Sequence, residues 1–455
     1  MDLNSDLQPL LKINSPSFAP VYKFERDFDL TNVFLFEKGQ PFEHFKNLRE
    51  NAPVYFHESG ETDSEPGFWT LTSYKDIEQA SKNQKVFSSQ IGSGTQFTLG
   101  YSNDVTIEQL YRAALDHMLG MDDKLHLAMR NPHMQFFSPK FIDDLRKKVA
   151  IKVTELLDNI APLGECNLVD AVASEIPIFS LCEILGVPES DRYKIKEWMT
   201  FLEMAQLVGA TQVAEKNNLE LNEKEKDSAP DQAMISLFQD TVKEMFDYGR
   251  SILLERRKNP KNDLLTVIAN IEIDGKKLPD EYLDGSWLLI IIAGNDTTRN
   301  SISGTMKLLT ENPSEKEKVI NNLDLLPNMV NESIRMVSPV IFMRRTTTEN
   351  TQIGEQKIGP HEKVVFYYGA ANRDPEIFPN PNQFNVEREN AKKHLAFGYG
   401  RHMCLGKHMA NMQLSEVYSQ ILRRFPDMHQ SDEWKVVPNN FVHAISEMPV
   451  KFKPE

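Results

Sequence analysis

The sequence predicts a mostly α-helical protein with a small β portion, the α+β class. Apolar residues recur at helical spacing along most of the chain from residue 41 onward. The run 279–310 contains no internal proline and is long enough for one helix of roughly 45–50 Å at 1.5 Å per residue. Strand-like runs are short, and the clearest are residues 54–56 and 68–71, which an acidic turn separates.

The chain divides into a polar arm and one large domain. Residues 1–40 show few periodic signals and are predicted as an extended N-terminal arm. Residues 41–455 are predicted as a single domain, because no Pro/Gly/Ser-rich linker and no internal repeat interrupts them. Residues 87–120 mix turn and apolar residues, and such a long irregular segment is usually functional. Helices are predicted over residues 41–50, 74–82, 233–257, 264–271, 313–323 and 326–337, with two or three more between 140 and 201.

The predicted helix 279–310 is apolar nearly all round in its middle, so we expect it to pass through the centre of the molecule. Short strands are predicted after it, at 351–353 and 364–367. A meander rich in Pro, Asn and Asp, residues 372–390, then leads to a cysteine-containing loop.

Composition excludes several classes of function. The net charge is −15, so nonspecific binding to nucleic acid or to an anionic membrane is not expected. The three cysteines are widely spaced and form no CxxC, which argues against structural disulfides and zinc knuckles. The first residues show neither a basic n-region nor a long apolar core. We therefore expect a soluble, cytoplasmic protein without a membrane anchor, and we expect it to be a monomer.

The most informative stretch is residues 397–406, FGYGRHMCLG, a single cysteine on a glycine-rich loop that opens a helix. Gly398 and Gly406 permit backbone angles and close approaches that other residues resist. The N-terminus of the following helix directs amide hydrogens at the loop, where a thiolate is favoured over a thiol. A thiolate under amide donors suits an iron ligand, because such donors tune the potential of the metal.

This stretch resembles the heme-binding signature of the cytochrome P450 family, F-x-x-G-x-x-x-C-x-G. The resemblance implies a triangular prism fold built around a long central helix, and a heme b cofactor (iron protoporphyrin IX). It makes Cys404 the iron ligand, and it places Phe397, Gly398, Gly406 and Ala293 against the heme.

A second motif lies inside the predicted long helix, Ala293-Gly294-Asn295-Asp296-Thr297-Thr298. Glycine in a helix interior costs about 1 kcal/mol against alanine, and the neighbouring Asp and Thr compete for backbone hydrogen bonds. A local kink beside Gly294 relieves that conflict, although a plain packing glycine is the alternative. The segment also resembles the oxygen-activation motif of the family. By that resemblance Thr297 hydrogen-bonds dioxygen and Asp296 helps to relay protons from solvent.

Glu332 and Arg335 stand three apart on a predicted helix, which by spacing alone indicates an ordinary surface salt bridge. Their position matches the family's E-x-x-R, a structural core pair. The usual third partner is an arginine in a P-x-R-F pattern of the meander. Here Gln383 occupies that place, and whether Arg388 substitutes is left open.

Four basic residues are candidates for binding the heme carboxylates. His126 and Arg130 lie four apart on one face of a predicted helix and match the family's H-x-x-x-R, without the usual preceding prolines. Arg345 follows the E-x-x-R helix, and His402 lies in the cysteine loop. Buried carboxylates need charge-assisted partners, although each residue taken singly is also compatible with a surface position.

The stretch 388–408 is basic within an acidic chain. Lys392, Lys393, Arg401 and Lys407 are predicted to dock an acidic electron donor, most plausibly a ferredoxin, by electrostatic steering. A solvated basic face without a partner is the alternative.

Together these features predict a heme-thiolate monooxygenase that uses O₂ and two electrons from NAD(P)H. No GxGxxG nucleotide loop is present, so the electron-transfer proteins are expected to be separate chains. A peroxygenase of the same fold would dispense with the acid–alcohol pair Asp296–Thr297. A non-catalytic heme sensor would need an output module, and the sequence shows no spare domain.

The substrate class is predicted from resemblance to bacterial members that hydroxylate alkyl chains of alkanes, fatty acids, terpenoids or sterols. Candidate pocket residues are Val340, Ile341 and Phe342, with Ala293 and Thr297 from the long helix. Residues 96–101 and 201–208 are predicted to contribute to a lid.

Overall fold

The computed structural model describes residues 16–58, 67–90, 99, 108–203, 208 and 230–455. Helices dominate this part of the chain, as the predicted class requires. They run over Phe42–Asn51, Tyr74–Lys82, Glu108–Ala113, Asp123–His133, Pro139–Ile160, Glu175–Leu185, Arg192–Glu203, Gln232–Lys258, Leu264–Ala269, Asp280–Glu311, Pro313–Asn321, Leu326–Val337, Tyr368–Ala371 and Lys407–Arg424.

The central helix, Asp280–Glu311, has 32 residues and is therefore about 48 Å long. It packs against helices from both halves of the chain, including Glu175–Leu185, Gln232–Lys258 and Leu326–Val337. Residues buried all round its axis explain the apolar pattern, and the prediction of one long helix through the core is confirmed.

The helix is continuous across Gly294, where the sequence suggested a kink. The side chains of Thr297, Asn300 and Ser301 each donate to the carbonyl four residues earlier, at 3.3, 2.7 and 2.8 Å. Such bonds satisfy the polar groups within the helix and bend it slightly without breaking it. A Cβ on Gly294 would lie 3.0 Å from Leu181 Cδ1, so this glycine also serves close packing.

The strands are short. In chain order, β1 to β14 are Val54–His57, Phe68–Leu71, Phe87–Ser88, Glu165–Asn167, Glu272–Ile273, Lys276–Lys277, Phe342–Thr347, Thr351–Ile353, Gln356–Ile358, Lys363–Tyr367, His429–Gln430, Lys435–Val437, Ala444–Glu447 and Pro449–Lys451.

Strands β1, β2, β10, β7 and β3 form the largest sheet, in that order. The β2–β10 pair is parallel and the other three pairs are antiparallel. Side chains alternate between the faces of a strand, so Met343 and Arg345 of β7 share one face while Phe342 and Arg344 share the other. Of these strands, β1, β2, β8 and most of β10 are predicted from the sequence, whereas β3 to β7, β9 and β11 to β14 are not.

The described part of the N-terminal arm is packed on this sheet. The Ser17 amide donates to Glu362 Oε1 at 2.7 Å, and the Leu30 amide donates to His57 Nε2 at 3.1 Å. Leu30 and Phe36 are buried. The proposed division of the chain at residue 41 stays a prediction.

Among the helices that the structure describes, none is both long enough and apolar enough to cross a membrane.

Candidate active site

The cysteine loop takes its shape from two glycines in the left-handed region. Gly398 has φ +69° and Gly400 has φ +73°, and a Cβ on Gly400 would lie 2.6 Å from the Ser81 carbonyl oxygen. The Cys404 amide donates to the Phe397 carbonyl at 2.8 Å, which closes the loop. The helix Lys407–Arg424 begins three residues after the cysteine, so its first amides lie beside the sulfur.

Cys404 lines an internal space. Its surface is open, yet burial by surrounding protein is the largest influence on its thiol and raises the pKa above the ordinary value. The amides of Gly406 and Lys407 and the charge of Arg130 act in the opposite direction. These donors act in the direction predicted for the loop, but burial outweighs them in the protein chain by itself, and the thiolate stays a prediction for the metal-bound sulfur. A bound metal cation would supply the missing positive charge.

The middle of the central helix also faces an internal space. Ala293 is exposed, and Ile290, Ile292, Gly294 and Thr297 are half-buried, although the neighbouring turns are buried. Four of these positions, 290, 293, 294 and 297, lie at i, i+3, i+4 and i+7, on one stripe of the helix. An open stripe in the middle of a core helix requires a cavity beside it.

Two of the candidate carboxylate partners are brought together. The rings of His126 and His402 are in contact, with centroids 4.2 Å apart and planes tilted by 32°. Both nitrogens of His126 and Nδ1 of His402 are buried without a hydrogen-bond partner among the described residues. Burial, and next the charge of His402, lowers the pKa of His126 to about 3. Unpaired buried nitrogens are costly, which indicates that a polar group absent from the protein belongs here.

The two candidate arginines lie on either side of this pair. Arg130 donates to the Met403 carbonyl at 2.7 Å, next to Cys404. Arg345 is buried, and burial lowers its pKa, while Tyr368 and Asp122 attract its charge. The site therefore brings two arginines and two histidines close together.

The E-x-x-R pair is a buried ion pair and not a surface bridge. Arg335 Nε lies 2.7 Å from Glu332 Oε2, and both side chains are 0% exposed. Arg388 Nε bonds the other carboxylate oxygen of Glu332 at 2.9 Å. Gln383 contributes only its backbone carbonyl, to Arg388 at 2.9 Å and Arg335 at 3.4 Å. Arg388 is thus the third member of the cluster.

Asp296 and Thr297 lie on the central helix as predicted. The Thr297 hydroxyl donates to the Ala293 carbonyl, which leaves its oxygen lone pairs as acceptors toward the open stripe. Asp296 is buried, and Asn295 Nδ2 donates to its Oδ1 at 3.2 Å. A buried carboxylate next to a cavity-facing hydroxyl is suited to passing protons while bulk water is excluded.

The three predicted pocket residues that precede and begin β7 differ in burial. Val340 is half-buried, whereas Ile341 and Phe342 are 1% and 0% exposed. The Phe342 ring packs against Phe441 at 5.5 Å and Tyr367 at 6.1 Å. Both Ile341 and Phe342 are therefore enclosed by neighbouring protein and do not reach an open surface.

The predicted lid lies largely outside the described residues. Of the stretch 96–101 the structure describes Leu99, which is buried and whose carbonyl accepts from Lys363 Nζ. Of the stretch 201–208 it describes 201–203 and 208.

The basic stretch is on the surface. Lys392, Lys393 and Arg401 are exposed, and Lys407 is half-buried with its ammonium 5.7 Å from the centre of the Phe397 ring. Arg401 has one acidic neighbour, Asp123, at 3.8 Å.

Sequence reasoning missed four residues at the site. Met343 is half-buried on the same face of β7 as Arg345, but no local pattern marked β7 as a strand. Asp122 lies 3.5 Å from His402, and its place before H-x-x-x-R was the available signal. Leu127 and Met403 are large apolar side chains left 39% and 40% exposed near the cysteine, a property that only the folded surface reveals.

These observations fit a heme. Cys404 offers a sulfur to an internal space, the open stripe of the central helix provides a flat apolar wall, and the orphaned nitrogens of His126 and His402 match buried carboxylates.

Comparison with known proteins agrees. The family model "Cytochrome P450" matches residues 230–453. The chain is 30% identical over 429 residues to linalool 8-monooxygenase of Pseudomonas putida, covering 94% of this chain and 99% of that protein. It is 29% identical over 430 residues to steroid C26-monooxygenase of Mycolicibacterium smegmatis, covering 94% and 96%. The structure of Mycobacterium marinum cytochrome P450 CYP268A2 in complex with pseudoionone superimposes with a TM-score of 0.80 at 29% identity, covering 95% and 100%.

These similarities span nearly the whole chain and confirm both the predicted resemblance and the P450 type of fold. They also confirm the prediction of an oxidoreductase of the monooxygenase type. The chain belongs to the cytochrome P450 family.

Proposed function

We propose that this heme-thiolate monooxygenase hydroxylates an unactivated C–H bond of an elongated hydrophobic substrate, using O₂ and two electrons. The observation that carries the proposal is the pair of openings, at Cys404 and along the stripe of the central helix that contains Ala293 and Thr297. A bound heme b would supply the iron that activates dioxygen.

The heme would be held by the cysteine loop and by the basic residues near it. Cys404 would be the iron ligand. His126, His402, Arg345 and Arg130 would bind the carboxylates, because they supply two planar guanidinium groups and unpaired ring nitrogens. Phe397, Gly398 and Gly406 on the cysteine side and Ala293 on the opposite side would form the walls.

Asp296 and Thr297 would deliver protons to the reacting oxygen. The hydroxyl oxygen of Thr297 accepts hydrogen bonds at the open stripe, and the Asp296 carboxylate is held by Asn295. The pair supports a monooxygenase over a peroxygenase, since peroxide already brings the protons that a dioxygen reaction must acquire.

The substrate class follows from the relatives and from the pocket. Two relatives are named for oxidation at position C26 of a steroid and position 8 of linalool, and the third was solved with pseudoionone. We extend this to an alkyl chain whose reactive end lies near the iron. Val340 and Met343, the half-buried residues at the start of β7, are better placed to contact it than Ile341 and Phe342.

Electrons would arrive from a ferredoxin that docks on the cysteine side. The surface there is basic in a chain of net charge −15, so an acidic partner is steered to it. Leu127, Met134 and Met403 are 39%, 48% and 40% exposed and would form its apolar centre. Leu127 and Arg130 lie three apart on the helix Asp123–His133, Met134 follows the end of that helix, and Arg130 joins the helix to the cysteine loop through the Met403 carbonyl. A reducing cytoplasm suits the three free cysteines.

The test is spectroscopic. The purified holoprotein, reduced and treated with carbon monoxide, should show the red-shifted absorption band of a thiolate-ligated heme, and Cys404→Ala should lose it. Alkanes, fatty acids, terpenoids and sterols should then be screened for the low- to high-spin shift that substrate binding produces. If only compact aromatic compounds shift the spectrum, the alkyl-chain proposal is wrong.

Turnover assays with two different sources of electrons and oxygen separate the remaining alternatives. A monooxygenase should turn over with NAD(P)H, a reductase and a ferredoxin, and stop without them. A peroxygenase should need only peroxide. A heme sensor should convert no substrate under either condition.

A further inference from the structure

The helix that carries His126 and Arg130 begins at an aspartate that does not cap it. Asp122 is the N-cap residue of Asp123–His133, a position where a carboxylate normally accepts from the first amides of the helix. No such bond forms here. The carboxylate turns instead to the segment Ser88–Gln90, a contact that gives up the usual stabilisation of the helix end.

Three donors from that segment fix the carboxylate. Ser88 Oγ donates to Oδ2 at 2.5 Å, the Ser89 amide donates at 3.1 Å, and the Gln90 amide donates at 3.2 Å. The Gln90 side chain in turn accepts from the Asp122 amide at 3.2 Å. A carboxylate with this many donors has one orientation and keeps its charge.

The fixed carboxylate points at the cysteine loop. Asp122 Oδ1 lies 3.5 Å from His402 Nε2, and Ser89 Oγ lies 3.4 Å from the same nitrogen. The His126 ring also contacts the His402 ring, at a centroid distance of 4.2 Å, and so restricts its orientation. These contacts leave Nδ1 as the one ring nitrogen of His402 without a partner in the described structure.

The charge of Asp122 needs an explanation in this place. It lies among His126, Arg345 and His402, the groups proposed to hold the carboxylates of the heme, and it attracts the charge of Arg345. An anion there competes with the incoming carboxylates for the same cations. The aspartate can offset this competition if it fixes the orientation of a residue that binds the heme. Groups that hold a cofactor bind it best when their orientation is set before the cofactor arrives.

We propose that Asp122 is a positioning residue that, together with Ser89, locks the orientation of the His402 ring: Nε2–H faces Asp122, and Nδ1–H of the same imidazolium ring is directed toward a heme carboxylate. Asp122 touches neither the iron nor the substrate and acts through His402. This inference rests on the proposed heme site and adds a residue to which no role in it was assigned.

The experiment measures heme loss from the holoprotein to an excess of apomyoglobin. Asp122→Asn should release heme about tenfold faster than the wild type, because loss of a partner behind a cofactor ligand typically weakens binding by that order. Asp123→Asn is the matched control: it removes the same charge one residue away, from a side chain that is 68% exposed, and should release heme at the wild-type rate.

A double-mutant cycle with His402→Ala identifies the route of the effect. If Asp122 acts through His402, Asp122→Asn should cause no further acceleration in the His402→Ala background. Full additivity, or a rate for Asp122→Asn equal to that of Asp123→Asn, overturns the proposal. Should Asp122→Asn fail to fold, Ser88→Ala removes one donor to the same carboxylate and keeps the charge. It should then give a smaller acceleration in the same direction, and no acceleration overturns the proposal.

The ferric/ferrous potential is an independent readout. Removing an anion near the heme should shift the potential of Asp122→Asn in the positive direction, and that of Asp123→Asn should stay near the wild-type value. Failure of the proposed function appears differently, since the wild-type protein would then show no thiolate-heme spectrum at all.

Discussion

Replacing Arg388 with alanine tests the buried charge cluster that the meander completes. The Arg388 guanidinium makes four hydrogen bonds: to Glu332 at 2.9 Å and to the carbonyls of Pro379, Asn380 and Gln383 at 2.7, 3.2 and 2.9 Å. The side chain is buried. Truncation removes all four bonds and leaves the carboxylate with one cationic partner in place of two.

Breaking a buried ion pair by removal of one member costs about 3–5 kcal/mol. The lower end applies here, because Arg335 still holds Glu332 through two bonds, at 2.7 and 2.8 Å. The three backbone carbonyls that lose Arg388 can bind water only if the meander opens. Their lost hydrogen bonds therefore add to the loss of stability. We therefore expect Arg388→Ala to lower the free energy of unfolding by about 3 kcal/mol.

Urea unfolding of the ferric holoprotein, followed by far-UV circular dichroism and by the heme absorbance, measures this loss as a lower midpoint. Gln383→Ala is the matched control, since its side chain is exposed and only its backbone carbonyl takes part. Its effect should stay within about 0.5 kcal/mol.

An Arg388→Ala midpoint equal to that of Gln383→Ala would refute the assignment. Recovery of stability by Gln383→Arg in the Arg388→Ala background would support it, because an arginine from the usual position would then replace the lost one.

Three further predictions concern catalysis, docking and pH. Thr297→Ala should lower the rate of hydroxylation by about a hundredfold and divert reducing equivalents to peroxide. Both effects are measured as the amounts of product and peroxide formed per NAD(P)H consumed. A variant that stays fast and forms no extra peroxide would contradict the role of Thr297 in proton delivery. Charge reversal at Lys392, Lys393 and Lys407 should slow reduction by ferredoxin at low salt at least about tenfold, measured by stopped flow; an unchanged rate would exclude docking there. Burial lowers the pKa of His133 to about 4, so the folded state resists its protonation and stability falls as the pH drops from about 6.5 through 4. His133→Phe should remove up to about 3 kcal/mol of that pH-dependent loss, seen in urea midpoints at pH 7 and pH 4.5, and an identical pH profile would contradict this.

The sequence by itself determined the features that depend on neighbours along the chain. The helix Tyr74–Lys82 and the helix Leu326–Val337 have the bounds that periodicity predicted. The central helix differs from its prediction by one residue at each end. The Cys404 loop could be predicted because the glycines, the cysteine and the start of the following helix lie next to one another in the sequence. Helical period and turn chemistry are local, so a local pattern suffices.

Only the tertiary structure decided which distant groups meet. Arg388 reaches Glu332 across 56 residues, and β2 pairs with β10 from the other end of the chain. The burial of Phe342 was also decided by the tertiary structure. Its ring packs against the distant Phe441, and no periodic pattern in the sequence predicted the strand that places it there. A residue's charge and size are written in the sequence, but its partner is set by packing. Asp122 therefore appears in the sequence as one of two adjacent acids, and in the fold as the neighbour of His402.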